Sequence, residues 1–120
     1  MKIHAETRDV DGVTILVMRG RITLGEGASL LREAIRHSIN HNPRILIDLA
    51  EVTYIDSTGL GELVGGWVAA RNRNADIKLL HIKSQIKDLL QVTKLLTVFE
   101  CFEDETAAIA SFPPAAVQEP

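Results

Sequence analysis

Two hydrophobic periods alternate along the chain. Residues 2 to 9 are mostly polar and predict an edge strand. "DG" at 11–12 is a hairpin signal ahead of "VTILVMRG". There Val13, Ile15 and Val17 alternate with Thr14, Leu16 and Met18, so both faces of this second strand are expected to be covered. "RITLGEG" follows as a loop, with Glu26 or Ser29 opening a helix. Leu30, Leu31, Ala34, Ile35 and Ile39 recur at helical spacing until "NHNP" at 40–43 stops it. "RILIDLAEVTYI" carries a continuous apolar run from Ile45 to Leu49, the mark of a central strand covered on both faces.

A second helix is predicted from about Ser57. Leu60, Leu63, Val64, Trp67 and Val68 form its apolar stripe, and "NRNAD" forms its end. "IKLLHI" reads as another buried strand. "SQIKDLLQVTKL" reads as a third helix, with Ile86, Leu89 and Leu90 on one side. "TVFE" predicts a last strand and "EDETAAIASF" a last helix, begun by Thr106 or the acidic residues. This order implies an α/β domain with a mixed sheet of four to five strands and about four helices packed against it. The opening hairpin is antiparallel, and the helix-linked strands pair in parallel. The domain is expected over residues 1–112, and the proline-rich 113–120 is expected to be a disordered tail.

Composition narrows the function. At 120 residues, 46% hydrophobic and 24% charged, the chain suits one globular domain. A net charge of −3 argues against a nucleic-acid partner. No apolar run is long enough to cross a membrane, so a cytoplasmic protein with no direct membrane insertion is expected. The single cysteine, Cys101, lies between two phenylalanines without metal-ligand neighbours and reads as a small hydrophobe.

Chemistry concentrates in "YIDSTGLGEL", residues 54–63, at the junction of a strand and a helix. Gly59 and Gly61 begin a dinucleotide-loop pattern, but its third position is Val64, and no lysine follows the glycines as a P-loop requires. A nucleophile elbow would need glycine where Ile55 stands. A small hydrolase would pair Ser57 with His81, the one histidine expected on the same rim. Asp56, Ser57 and Thr58 are all helix-capping types, and a cap alone explains one of them. A spare hydroxyl is open to phosphorylation, which would add roughly −1.5 to −2 charges at the helix N-terminus. Gly61, Gly65 and Ala69, four apart and flanked by Gly66 and Ala70, leave two readings: close packing on the sheet, or a docking face.

Together "VTILVMRGRIT", "ILIDLAEVTYIDSTGLGEL" and "IKDLLQVTKLLTVFECFEDETAAI" resemble the STAS family of anti-sigma-factor antagonists, over residues 3 to about 112. The resemblance implies a non-enzymatic partner-switching protein that is monomeric when free. Its partners would be a serine/threonine kinase acting as anti-sigma factor, bound by the unphosphorylated form, and a phosphatase for reset. It implies Ser57 as phosphoacceptor, with Thr58 the fallback, and a binding surface of Arg21, Thr23, Asp56, Ser57, Thr58, Gly59, Leu60 and Gly61. The chain would hold no cofactor or metal of its own, ATP and Mg²⁺ belonging to the kinase. Where many antagonists carry an acid after the second strand, this chain has Arg21 and Thr23. STAS domains also serve as non-switching subunits of lipid-transport or sensory complexes, the alternative reading.

Overall fold

A computed structural model describes residues 2–113. Strand β1 (His4–Val10) and strand β2 (Val13–Ile22) form the hairpin predicted by "DG". Asp11 and Gly12 both take positive φ, 50° and 80°, as a turn matched to strand twist requires. The chain continues through α1 (Glu26–His41), β3 (Arg44–Ile55), α2 (Ser57–Asn72), β4 (Asp76–Leu80), α3 (Ser84–Val92), β5 (Cys101–Phe102) and α4 (Glu105–Ser111). The strands lie in the order β1-β2-β3-β4-β5, antiparallel at the first pair and parallel thereafter.

That sequential order decides where the helices go. Parallel crossovers of one hand, each stepping the same way across the sheet, deposit their helices on one face. Accordingly Leu31 and Ile35 of α1, Leu63 of α2 and Leu90 of α3 share one core with Ile45, Ile47 and Leu49 of β3. The other face packs Val13, Ile15, Leu46 and Leu80 against Ala108 and Phe112, beneath α4. The middle strands are therefore covered on both sides, as their unbroken apolar runs require.

Two local expectations are corrected and one is narrowed. The last strand is Cys101–Phe102, not "TVFE", because Leu95–Thr97 closes into a 3-10 turn after Lys94 adopts φ 64°. Of the two expected openings of α4 the acidic one holds: Asp104 is the cap, its carboxylate accepting from the Ala107 amide at 2.8 Å, and Thr106 does not play that part. Val68 leaves the expected stripe of α2 and is exposed, while Ala70 is buried in its place. The predicted tail lies outside the described residues from 114 onward.

Candidate functional site

The site is built where β2 and β3 end and α1 and α2 begin. Both helices start tightly against the same backbone. A side chain at Gly27 of α1 would place its Cβ 2.3 Å from the Arg21 carbonyl oxygen, and one at Gly59 of α2 would place it 2.3 Å from that of Ile22. Only glycine permits either approach. The Arg21–Leu24 segment is thereby held between two helix N-termini.

Asp56 completes the arrangement. It is the N-cap of α2, and its Oδ1 accepts from the Gly59 amide at 2.8 Å. Its Oδ2 accepts from the Leu24 amide at 2.9 Å, and its own amide donates to the Ile22 carbonyl at 3.2 Å. The Gly59 and then the Leu24 amide hold its carboxyl below the usual carboxylate range. Of the three capping types in succession, Asp56 alone caps. With both oxygens engaged it is a clamp on the loop.

Ser57, the first residue of α2, is exposed, and its hydroxyl makes no hydrogen bond among the described residues. Thr58 is half-buried. Arg21 lies over the Tyr54 ring, 4.7 Å from its centroid, and Thr23 accepts from the Ala28 amide at 2.9 Å to seat α1. Of the eight expected binding residues, Gly59 and Leu60 turn into the core and act through packing. Gly61 is exposed with open space beside its Cα. Sequence reasoning missed Leu24, 77% exposed beside Asp56, and Tyr54, 48% exposed. An apolar residue without periodic partners in the glycine-rich "TLGEG" was the available signal for Leu24.

His81 is not on this rim. Its Nδ1 lies 3.2 Å from Asp48 Oδ1, in the middle of β3. Strand β4 pairs only with Arg44–Asp48, and β3 continues to Ile55. Seven further residues at about 3.3 Å each set the ring roughly 20 Å from the Ser57 end. No Ser57–His81 dyad exists.

Cys101 is half-buried, its Sγ 3.6 Å from the Phe99 carbonyl oxygen, and burial pushes its thiol up, away from reactivity. Among the described residues no group of His, Cys, Asp and Glu could hold a metal ion, and no helix is long and apolar enough to cross a membrane.

A five-stranded sheet with three helices on one face, one on the other, and an exposed serine behind a capping aspartate defines a class. The STAS domain family matches residues 4–108, and the chain belongs to it. The anti-sigma-B factor antagonist of Listeria monocytogenes is 32% identical over 101 residues, covering 83% of this chain and 87% of that protein. A candidate anti-sigma factor antagonist from Thermotoga maritima superposes with a TM-score of 0.80 at 21% identity, over 88% of this chain and 92% of that one. The phosphorylated form of SpoIIAA, a cell-fate determinant of Bacillus, gives 0.69 at 15% identity, over 89% and 97% respectively.

Proposed function

We propose that this protein is an anti-sigma-factor antagonist switched by phosphorylation of Ser57. The unphosphorylated chain binds a serine/threonine kinase that also holds a sigma factor, and so frees that factor. In the kinase complex, Ser57 Oγ attacks the γ-phosphorus of ATP. The bond to ADP breaks, ADP leaves, and the hydroxyl proton passes to a base of the kinase. ATP and Mg²⁺ come with the kinase, and a phosphatase restores the serine by hydrolysis. This chain contributes presentation, not catalysis.

The observation that carries this reading is the contrast between neighbours. Asp56 is locked by two amides, whereas the adjacent Ser57 hydroxyl is exposed and unbonded. A rigid loop around a free alcohol suits a substrate for an outside catalyst. Phosphorylation places about two negative charges at the rim carrying Asp56, so a partner fitted to the neutral serine is expelled by charge. The relatives named as antagonists support the antagonist part of this reading.

The test is incubation with ATP and the cognate serine/threonine kinase, read by intact mass and peptide mapping. One phosphate on Ser57, absent from Ser57→Ala, which still binds the kinase, is the expected result. Ser57→Asp should bind weakly. Phosphate on Thr58 would move the site by one residue, and phosphate taken up equally by Ser57→Ala would overturn the assignment of Ser57. Recovery of transporter subunits and no kinase in a pull-down would favour a non-switching subunit.

A further inference from the structure

From the charge and floor of the groove between α1 and α2 we infer that it docks an acidic helix of the partner protein. The inference rests on the partner-binding reading above and adds the surface and its chemistry. Two adjoining hollows of about 160 and 360 Å³ run along this groove and share Arg36 and Ala69. Arg32 and Arg36 of α1 and Arg73 at the end of α2 line it against one acid, Glu62. Neither Arg32 nor Arg36 makes an ion pair among the described residues. On a chain of net charge −3 this is a local basic track, so an acidic partner is repelled in general and attracted here.

The floor is shaped for close approach from outside. Gly66 is consumed internally: a Cβ there would meet Ile35 Cδ1 at 2.7 Å. Gly61 and Gly65 have nothing within 4 Å of that position, so packing within the chain does not ask for glycine at either. Glycine inside a helix is unfavourable, and a partner backbone lying close gives it a use. Ser57, Gly61, Gly65 and Ala69 follow one another at i, i+4 spacing, so the groove is continuous with the phosphoacceptor. A phosphate on Ser57 would stand at the head of the track and repel an acidic occupant.

The test is an amide-resolved NMR titration of the full chain with a synthetic helical peptide carrying glutamates on one face and alanines on the other. About sixteen residues give it a length of roughly 24 Å. A lysine counterpart serves as control. Shifts confined to Gly61, Gly65, Ala69 and Arg36 are expected, with none from the lysine peptide. Gly65→Gln, which keeps the fold because its side chain enters open space, and the pair Arg32→Glu with Arg36→Glu should each weaken binding about tenfold or more. Shifts elsewhere, equal binding of the lysine peptide, or indifference to Gly65→Gln would overturn the inference. A kinase arm separates the two claims. No phosphate on Ser57 would sink the functional reading while the titration still decides the groove. Normal phosphorylation with an unchanged KM for the double arginine variant would sink the groove alone.

Discussion

The carbonyl oxygen of Ile22 stands 2.3 Å from where a Cβ on Gly59 would lie, so the end of β2 and the first turn of α2 touch backbone to backbone. Neither side can yield cheaply. Gly59→Ala is therefore expected to destabilise the domain by about 1–3 kcal/mol, the usual range for overpacking. Gly65→Ala is the opposite case. It meets nothing, removes backbone freedom from the unfolded chain, and should stabilise by about 0.5–1 kcal/mol. Urea unfolding of both variants checks the pair, and two shifts of the same sign would contradict it.

Asp56 and Glu105 give the domain an acid-side dependence. The Gly59 and Leu24 amides hold the Asp56 carboxyl low, and the Arg8 guanidinium holds that of Glu105 low. A depressed folded-state pKa adds stability above the unfolded value, about 4 for both groups, and that stability is lost as pH falls through the folded value. Asp56→Asn keeps one acceptor but turns an amide donor toward a backbone N–H. Its deficit relative to the wild type should be full at neutral pH and shrink below about pH 4. Urea midpoints across that range test the sign. A deficit that grows on acidification would refute it.

Much of this fold was legible because its strands and helices have different hydrophobic periods, and failures occur where no period is present. "LVGGWVAA" is nearly apolar throughout, so it could not say that Ala70, not Val68, faces inward. A strand of only Cys101 and Phe102 has no period to read. At the site, three capping types in succession marked the loop and left a hydroxyl to spare, and the family resemblance singled out Ser57. The burial of Gly59 and Leu60 and the exposure of Tyr54 depend on how α2 meets β2, a tertiary relationship. Equally, the placing of His81 beside Asp48 follows from unequal strand lengths, which sequence boundaries resolve poorly.

The hydroxyl of Ser57 is exposed and makes no hydrogen bond among the described residues, so Ser57→Ala should change stability by no more than about 0.5 kcal/mol. That makes it a clean reagent: any loss of phosphorylation reports the missing acceptor. A thermal melt alongside the phosphorylation assay is sufficient. A large drop in Tm would show that the hydroxyl holds structure.

Lys78 is 4% exposed, and its Nζ donates to the Ser111 carbonyl at 3.0 Å and to Ser111 Oγ at 2.9 Å. The ammonium also sits 4.7 Å from the Phe112 ring centroid. It thus ties the last turn of α4, whose carbonyls lack helical donors, to the sheet. Lys78→Met keeps the apolar stem and leaves the Ser111 carbonyl without this donor. A loss of about 1–3 kcal/mol is expected, with faster hydrogen exchange across α4. Unchanged exchange there would show that α4 is held by its other contacts, the packing of Ala108 and Phe112 and the Arg8–Glu105 pair.

Arg21 and Tyr54 bear on partner choice. The guanidinium stacks on the ring at the rim that carries Ser57, and both side chains reach solvent. Exposed stacked pairs add little to folding, so Arg21→Glu should leave Tm nearly unchanged. At an interface the same pair joins a cation to a broad ring, the residue types that dominate binding energy. Arg21→Glu should weaken binding to the proposed kinase partner by about tenfold or more, and the wild-type association rate should fall more steeply with salt than that of the variant. Calorimetry and stopped-flow mixing at two salt concentrations decide it. Equal affinities would mean that the partner approaches Ser57 from the Leu24 side, leaving Arg21 outside the contact.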